Sequence, residues 1–86
     1  MISIVIPTYN EAGNIEKLIK QIIHNLTGRN WEIIVVDDNS PDGTWRLVQQ
    51  LAKKDTRVRL IRRLNERGLT SAFNSGIAES RGSIIG

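Results

Sequence analysis

Cysteine is absent from this chain of 86 residues, and histidine and aromatic residues are scarce. Without cysteine there is neither a disulfide framework nor a thiolate metal site, which fits a reducing compartment. The single histidine, His24, lies in the middle of a predicted helix, so we expect no catalytic role for it. No apolar run approaches the roughly 18 residues of a membrane span. The first residues enter a strand pattern directly and lack the features of a secretory signal.

Several nucleotide-binding and hydrolytic motifs are also missing. Residues 7–14, which follow the first predicted strand, do not supply the G-x-G-x-x-G of dinucleotide oxidoreductases, and the chain has no P-loop. A phospho-receiver domain needs a phosphoacceptor aspartate after a later strand, where this chain has Arg62-Arg63-Leu64. No set of serine, histidine and aspartate suits nucleophilic catalysis. These absences exclude the commonest alternatives for a small α/β domain.

Strand and helix patterns alternate along the chain. Strands are predicted at residues 2–6, 32–36 and 58–61, with the start of a fourth at 83–86, and helices follow the first three strands. The order βαβαβαβ predicts a three-layer α/β/α domain with a mainly parallel, Rossmann-like sheet. The length allows one domain, residues 1–86. Because the chain stops inside an apolar run, we interpret it as the truncated front half of a larger domain.

Boundary signals refine this prediction. Pro7 should end the first strand because it lacks an N–H, and Asn14 and Gly28 should start and stop the first helix. Ser40 and Pro41 predict the cap and first residue of the second helix. The residues expected to face inward from the third helix, predicted at 68–80, are Leu69, Ala72, Phe73, Gly76 and Ile77. Trp31 and Trp45 are interpreted as packing residues.

Acidic residues follow the first two predicted strands. Glu11 comes after the first, close to Tyr9, and Asp37-Asp38 comes directly after the second. Ligands of open parallel sheets bind beyond the carboxyl ends of the strands, so Glu11 and Asp38 are expected to converge on one rim and bind a nucleotide through its base and sugar hydroxyls. The alternative is purely structural, since acids favour helix starts and turns.

Basic residues are concentrated later in the chain, which carries a net charge of +3. Five arginines lie within residues 57–67. They are either a solvated strand edge and loop, or a surface that attracts phosphate or an anionic membrane. Arg67 and Gly68 precede a predicted helix N-terminus, which suits an anionic group, although a plain surface loop is the alternative. Nucleic acid is disfavoured because exposed aromatics do not accompany the charges.

Taken together, these segments resemble the inverting family-two glycosyltransferases of GT-A fold, and most closely the dolichol-phosphate mannose synthase group. The residues that carry the resemblance are Ile6-Pro7-Thr8-Tyr9-Asn10-Glu11, Val35-Val36-Asp37-Asp38-Asn39-Ser40-Pro41-Asp42-Gly43-Thr44, and Asn65-Glu66-Arg67-Gly68-Leu69. The first motif is shared across the wider family, and the Ser-Pro-Asp-Gly-Thr extension is more specific. The likeness covers nearly the whole chain.

The resemblance implies a set of site residues. Pro7, Tyr9, Glu11, Val36 and Asp38 would line the nucleotide site, while Asp37 would support the turn. Arg67 and Gly68 remain possible contacts of a phosphate or of the acceptor. A Mg²⁺ or Mn²⁺ ion would be held by a D-x-D motif beyond Gly86, so no metal ligands and no catalytic residues are expected within this chain.

The resemblance also implies an activity, the transfer of mannose from GDP-mannose to dolichyl or another polyprenyl phosphate at the cytoplasmic face of a membrane. This chain would carry the nucleotide-binding half and be inactive alone. The alternatives are another family-two transfer, such as glucose to polyprenyl phosphate, or a non-catalytic nucleotide-binding or assembly module. The severed sheet predicts self-association.

Overall fold

The structure, a computed structural model, describes residues 1–85, with side chains for residues 1–82. The strands are β1 (Ile2–Thr8), β2 (Trp31–Asp37), β3 (Val58–Arg62) and β4 (Ser83–Ile85), and the helices are α1 (Ile15–Asn25), α2 (Thr44–Lys54) and α3 (Leu69–Glu79). The predicted alternation is confirmed, and Gly86, the last residue of the predicted fourth strand, lies outside the described residues. None of these helices has the length and apolar character that a bilayer-spanning helix requires.

The strands form one parallel sheet in the order β3-β2-β1-β4. Helices α1 and α2 pack on one face and α3 packs on the other, so the predicted three-layer α/β/α fold is confirmed. The chain moves outward from β1 to β3 and then crosses back to place β4 on the far side of β1. The carboxyl ends of β1, β2 and β3 therefore meet at one edge, where parallel sheets of this kind bind ligands.

Strand β2 is buried at all seven positions, as its continuous apolar run predicts. Side chains alternate between faces along a strand. Ile33 and Val35 accordingly pack beneath α1 and α2, in a cluster with Ile15 and Ile19 among others. Ile34 and Val36, on the opposite face of β2, pack beneath α3 with Val5 and Ala72. Burial on both faces makes β2 the centre of the core.

Helix α3 lies very close to the sheet because of Gly76. A Cβ atom at this position would overlap Val5 Cγ1 and would lie 3.2 Å from Val36 Cγ2. Ala72 and Gly76 are buried and Phe73 packs against the same cluster, as predicted. The prediction for Leu69 is wrong, because this first residue of α3 projects past the end of the sheet and is 67% exposed.

Strand β1 continues through Pro7, so the predicted strand end is wrong. The ladder runs on as Pro7 paired with Val36 and Thr8 with Asp37. The N–H of Ile2 and the carbonyl of Thr8 both bond toward β2, so alternate residues, Pro7 included, face the other side of β1. There β4, as far as the structure describes it, pairs with residues 2–4. The missing proline N–H therefore costs the described part of the sheet no bond, and proline is tolerated in such positions.

Helix α2 begins at Thr44, not at the predicted Ser40–Pro41 start. The Ser40 hydroxyl donates to the Asp37 carboxylate at 2.6 Å, and its oxygen accepts the N–H of Asn10 and no N–H of the helix. Gly43 is the residue before the helix, with φ of 85°, a left-handed conformation that favours glycine. Helix α1 begins after Asn14 as predicted, although no side-chain bond from Asn14 caps it.

Candidate functional site at the carboxyl edge

Asp37 joins the ends of three strands. Its fully buried carboxylate accepts the Thr8 hydroxyl at 2.6 Å, and the hydroxyl and N–H of Ser40 at 2.6 and 2.9 Å. The Ser40 hydroxyl oxygen in turn accepts the N–H of Asn10, and the Asp37 carbonyl accepts the N–H of Arg63. The prediction that Asp37 supports the turn is confirmed, because both of its carboxylate oxygens accept hydrogen bonds from Thr8 or Ser40.

Asp38 is held from the α3 side of the sheet. The Arg63 guanidinium donates to both carboxylate oxygens, Nε to Oδ1 at 2.6 Å and Nη2 to Oδ2 at 3.0 Å. The N–H of Gly68 donates to Oδ2 at 3.0 Å, and the Gly68 carbonyl accepts from Arg63. These three residues form what we call the Asp38 clasp. Gly68 has φ of 116°, which a side chain would strain, so glycine suits this position.

The clasp fixes the ionisation of Asp38. Hydrogen bonds from Arg63 hold the pKa of the Asp38 carboxyl below its usual value, and they outweigh the opposite effect of burial. The positive charge of Arg63, the N–H of Gly68 and the charge of Arg67 act in the same direction. Asp38 is therefore an anion at neutral pH and serves as an acceptor. Oδ1 receives only one of these bonds, which leaves it capacity for a further donor.

A cavity of about 220 Å³ opens beside the clasp. Its lining residues are Tyr9, Asp38, Arg67, Gly68 and Leu69. Tyr9 is 42% exposed, and the Arg67 guanidinium lies 5.9 Å from the centre of its ring. A carboxylate acceptor, an exposed aromatic ring and a cation without an ion pair to any described carboxylate thus face one small space. This arrangement suits a nucleobase or sugar with N–H or O–H donors.

Glu11 lies at the same edge but lines a different cavity. That cavity, of about 230 Å³, also includes Pro7 and the first turn of α1. The N–H of Glu11 donates to the Thr44 hydroxyl, and its carbonyl accepts from the start of α1. Glu11 is thus held on the α1 side, while Asp38 is held on the α3 side. The expected convergence of Glu11 and Asp38 on one cavity is therefore not seen among the described residues.

Val36, one of the predicted site residues, does not lie at the surface. Its side chain is fully buried beneath α3, so the prediction that it lines a ligand site is wrong for the side chain. A wider hollow of about 830 Å³ follows the outer face of α1. It lies away from the strand ends where this sheet type binds ligands, so we do not assign it a role.

The role of the buried Arg63 was not predicted, because the sequence shows it as one of five similar arginines within residues 57–67. The strand register explains its position: Arg62 pairs with Asp37, so the next residue lies level with Asp38. Arg57 stacks 4.0 Å from the centre of the Trp31 ring. Trp31 is buried, so its predicted packing role is confirmed.

Metal ligands do not gather at this edge. In residues 1–85, no three acidic or histidine side chains form a group that could hold an ion. Asp37 and Asp38, the acids at the end of β2, both accept hydrogen bonds from protein donors. The residues that the structure describes therefore do not form a metal site.

Residues 3–86 match the family described as Glycosyl transferase family 2. The chain belongs to this family. The match runs through every described element, including the Asp38 clasp.

Individual relatives agree with this assignment. A dolichol-phosphate mannosyltransferase of Pyrococcus furiosus is 48% identical over 84 residues, which are 98% of this chain and 24% of that protein. An uncharacterized glycosyltransferase, EpsJ of Bacillus subtilis, is 40% identical over 86 residues, with 100% and 24% covered. The chain thus spans about a quarter of these curated relatives.

A solved structure shows the same fold. The mannosyltransferase PcManGT of Pyrobaculum calidifontis, in complex with GDP-Man and Mn²⁺, superposes with a TM-score of 0.78 at 28% sequence identity. The superposition covers 93% of this chain and 24% of that one. The family-two glycosyltransferase predicted from the sequence motifs is therefore confirmed at the level of family and fold.

Proposed function

We propose that this chain is the nucleotide-binding part of a glycosyltransferase that moves mannose from GDP-mannose to dolichyl or another polyprenyl phosphate. The observation that carries the proposal is the 48% identity to the protein named dolichol-phosphate mannosyltransferase. The fold shared with a mannosyltransferase bound to GDP-Man and Mn²⁺ adds support. Because the chain spans 24% of each, the proposal assigns it nucleotide binding and leaves the transfer step to the longer protein.

The Asp38 cavity is the proposed position of the nucleoside. Tyr9 offers an exposed ring face for stacking, and Asp38 offers an acceptor whose direction is fixed by two partners. Guanine presents N–H donors along its Watson–Crick edge, which an ionised carboxylate accepts well. Arg67 is proposed to contact a phosphate. Pro7 and Glu11 stay predicted contacts from the α1 side, and Val36 can contribute only backbone atoms.

Titration calorimetry with GDP tests the nucleoside position. Tyr9→Ala should weaken GDP binding by about fivefold to a hundredfold, since base–aromatic stacking contributes about 1–3 kcal/mol per base. Leu64→Ala is the matched control, because Leu64 is also exposed, at 64%, and lies outside the cavity. If both variants bind GDP as the parent does, the proposed position is wrong.

Activity provides the second test of the proposed function. Incubation of the 86-residue chain with labelled GDP-mannose and dolichyl phosphate should give no glycolipid, because the described residues contain no group of side chains that could hold a metal ion. Robust metal-dependent turnover by this chain alone would contradict the proposal that the chain binds the nucleotide but does not carry out the transfer.

Another family-two transfer is the second candidate, favoured by the 40% identity to a glycosyltransferase that is not named as a mannosyltransferase. A non-catalytic nucleotide-binding module is the third. Parallel titrations with UDP and ADP discriminate them. Selectivity for GDP favours mannosyl transfer, selectivity for UDP favours another sugar, and binding without activity in the full-length protein favours the module.

Two further proposals concern assembly and place. A polyprenyl phosphate acceptor is a membrane lipid, so we place the full-length enzyme at the cytoplasmic face of a membrane.

Self-association of the isolated chain is proposed because β3 and β4 are edge strands and Leu64 and Leu69 are exposed. Light scattering of the chain should show dimers or larger species, and a monomer at all concentrations would contradict this.

A further inference from the structure

A second cavity lies at the carboxyl edge on the α2 side. Its volume is about 520 Å³, and it is lined by Tyr9, Asn39, Ser40, Pro41, Asp42, Gly43, Trp45, Arg46, Arg62 and Arg67. Tyr9 and Arg67 also line the Asp38 cavity, so the two cavities are neighbours that share these two side chains. The proposed nucleotide contacts use Tyr9 and Arg67 but leave the rest of this lining, including Trp45, Arg46 and Arg62, without a role.

The arginines of the region divide into two groups. Six arginines lie between residues 46 and 67. Arg57, Arg59 and Arg63 form ion pairs with carboxylates. The remaining three, which we call the open arginines, form no ion pair with any residue that the structure describes; they are Arg46, Arg62 and Arg67. All three open arginines line the second cavity, so the arginine charges of this stretch that lack an ion pair share one space.

Two of the open arginines are held in place by Trp45. The Arg62 guanidinium lies 3.6 Å from the centre of the Trp45 ring, and its Nε donates to Asn39 Oδ1 at 2.9 Å. The Arg46 guanidinium lies 5.2 Å from the centre of the same ring. Stacking and the Nε bond fix the plane of Arg62 and leave its Nη donors for a ligand. A planar, preordered guanidinium is well suited to bidentate recognition of phosphate.

The cavity lining contains little negative charge, and the carboxylate that carries it already accepts hydrogen bonds from the protein. Asp42 is the one carboxylate in the lining. Its Oδ1 accepts the N–H and hydroxyl of Thr44, and its Oδ2 accepts the N–H of Ala12. The first turn of α2, which starts beside the cavity, contains no acidic residue. Three guanidinium groups therefore face one satisfied carboxylate, and the positive end of a helix dipole adds to the field.

We propose that this cavity is a second anion site, separate from the Asp38 cavity, and that it binds a phosphate group. The ligand is either a free phosphate, such as inorganic phosphate or pyrophosphate, or the headgroup of an anionic lipid. The proposal does not rest on the mannosyltransferase assignment, because Arg46, Arg62 and Trp45 play no part in that assignment; Arg67 alone is shared with the proposed nucleotide contact.

Titration calorimetry at constant ionic strength tests the site, with inorganic phosphate and pyrophosphate as probes. Arg62→Gln should weaken binding about tenfold, the usual effect of losing one charged hydrogen-bonding partner. Arg46→Gln should also weaken binding, and its side chain makes no hydrogen bond in the described part of the chain, so folding is not at risk. Arg57→Gln is the matched control, since Arg57 likewise stacks on a tryptophan but is paired with Asp55.

Vesicles distinguish the two sources of phosphate. Cosedimentation is measured with phosphatidylglycerol vesicles and with phosphatidylcholine vesicles as the neutral comparison. Binding to the anionic vesicles alone, reduced by Arg62→Gln and Arg46→Gln but not by Arg57→Gln, would support a lipid ligand. The same variant pattern with the soluble probes would support a free phosphate. No saturable binding in either assay, or an equal loss in the Arg57 control, would overturn the proposal.

Discussion

Replacing Arg63 with methionine should destabilise the domain strongly. Arg63 and Asp38 are joined by two hydrogen bonds of 2.6 and 3.0 Å, and their side chains are only 5% and 8% exposed. Methionine fills a similar volume but leaves the Asp38 carboxylate buried with a single described donor, the N–H of Gly68. A buried charge without its partner costs far more than an exposed one.

The magnitude follows from the position of the pair. Breaking a buried ion pair typically costs about 3–5 kcal/mol. Arg63 and Asp38 lie at the rim of the sheet, close to solvent, so we expect the lower end, about 3 kcal/mol. For a domain of this size each kcal/mol lowers the melting temperature by about 4–8 °C, which predicts a fall of about 12–24 °C.

Urea unfolding followed by circular dichroism measures the change. Arg57→Met is the control, because the Arg57–Asp55 pair is exposed, at 53% and 29%, and should matter far less. Combining Arg63→Met with Asp38→Asn should recover much of the loss, since no buried charge is left alone. A loss below about 1 kcal/mol for Arg63→Met, within the range of an exposed pair, would refute the reasoning.

The pH dependence provides an independent check of the same clasp. Because the pKa of Asp38 is lower in the folded protein than its ordinary value of about 3.9, the folded state favours the anion. The contribution of the clasp to stability is therefore complete above about pH 4 and is lost as the pH falls toward the lowered pKa. Arg63→Met should flatten this acid limb. An unchanged acid limb would show that the clasp does not set the ionisation of Asp38.

Two other substitutions test the packing and the turn. Gly76→Ala should cost about 1–3 kcal/mol because its Cβ would overlap the valines beneath α3, whereas Gly13→Ala, with no atom within 4 Å, should be nearly neutral in the same thermal melts. Asp37→Ala should cost about 3 kcal/mol, because it leaves the buried hydroxyls of Thr8 and Ser40 without an acceptor; a stability like that of the parent in urea would contradict the anchoring role.

The layers of the fold could be predicted from the sequence because they depend on periodicity. The spacing of Ile15 and Ile19 predicts the buried face of α1, and the unbroken apolar run of β2 predicts burial on both sides. The start of α2 could not be predicted, because Ser40 has the features of a helix cap but bonds to Asp37. A local pattern cannot reveal whether a serine oxygen will accept a helix N–H, as a cap does, or be engaged by residues distant in sequence, as Ser40 is by Asn10.

The candidate site was only partly predictable for a related reason. The motifs place Tyr9, Glu11 and Asp38 at the same edge of the sheet, as observed, but sequence spacing does not tell which face each side chain joins. That is decided by long-range partners: Thr44 for Glu11, and Arg63 for Asp38. Arg63 itself carries no local signal that separates it from the exposed arginines around it.

The crossover that sets β4 beside β1 has a consequence for biosynthesis. The bonds that anchor this junction, from the N–H of Gly82 to Ser3 and from the N–H of Arg81 to Glu32, join residues 79 and 49 positions apart. During translation, one side of the first strand therefore stays bare until residues 81–85 have left the ribosome. A neighbouring nascent chain can pair with that bare side in the interval, so slow elongation just before codon 81 would favour aggregation over correct closure.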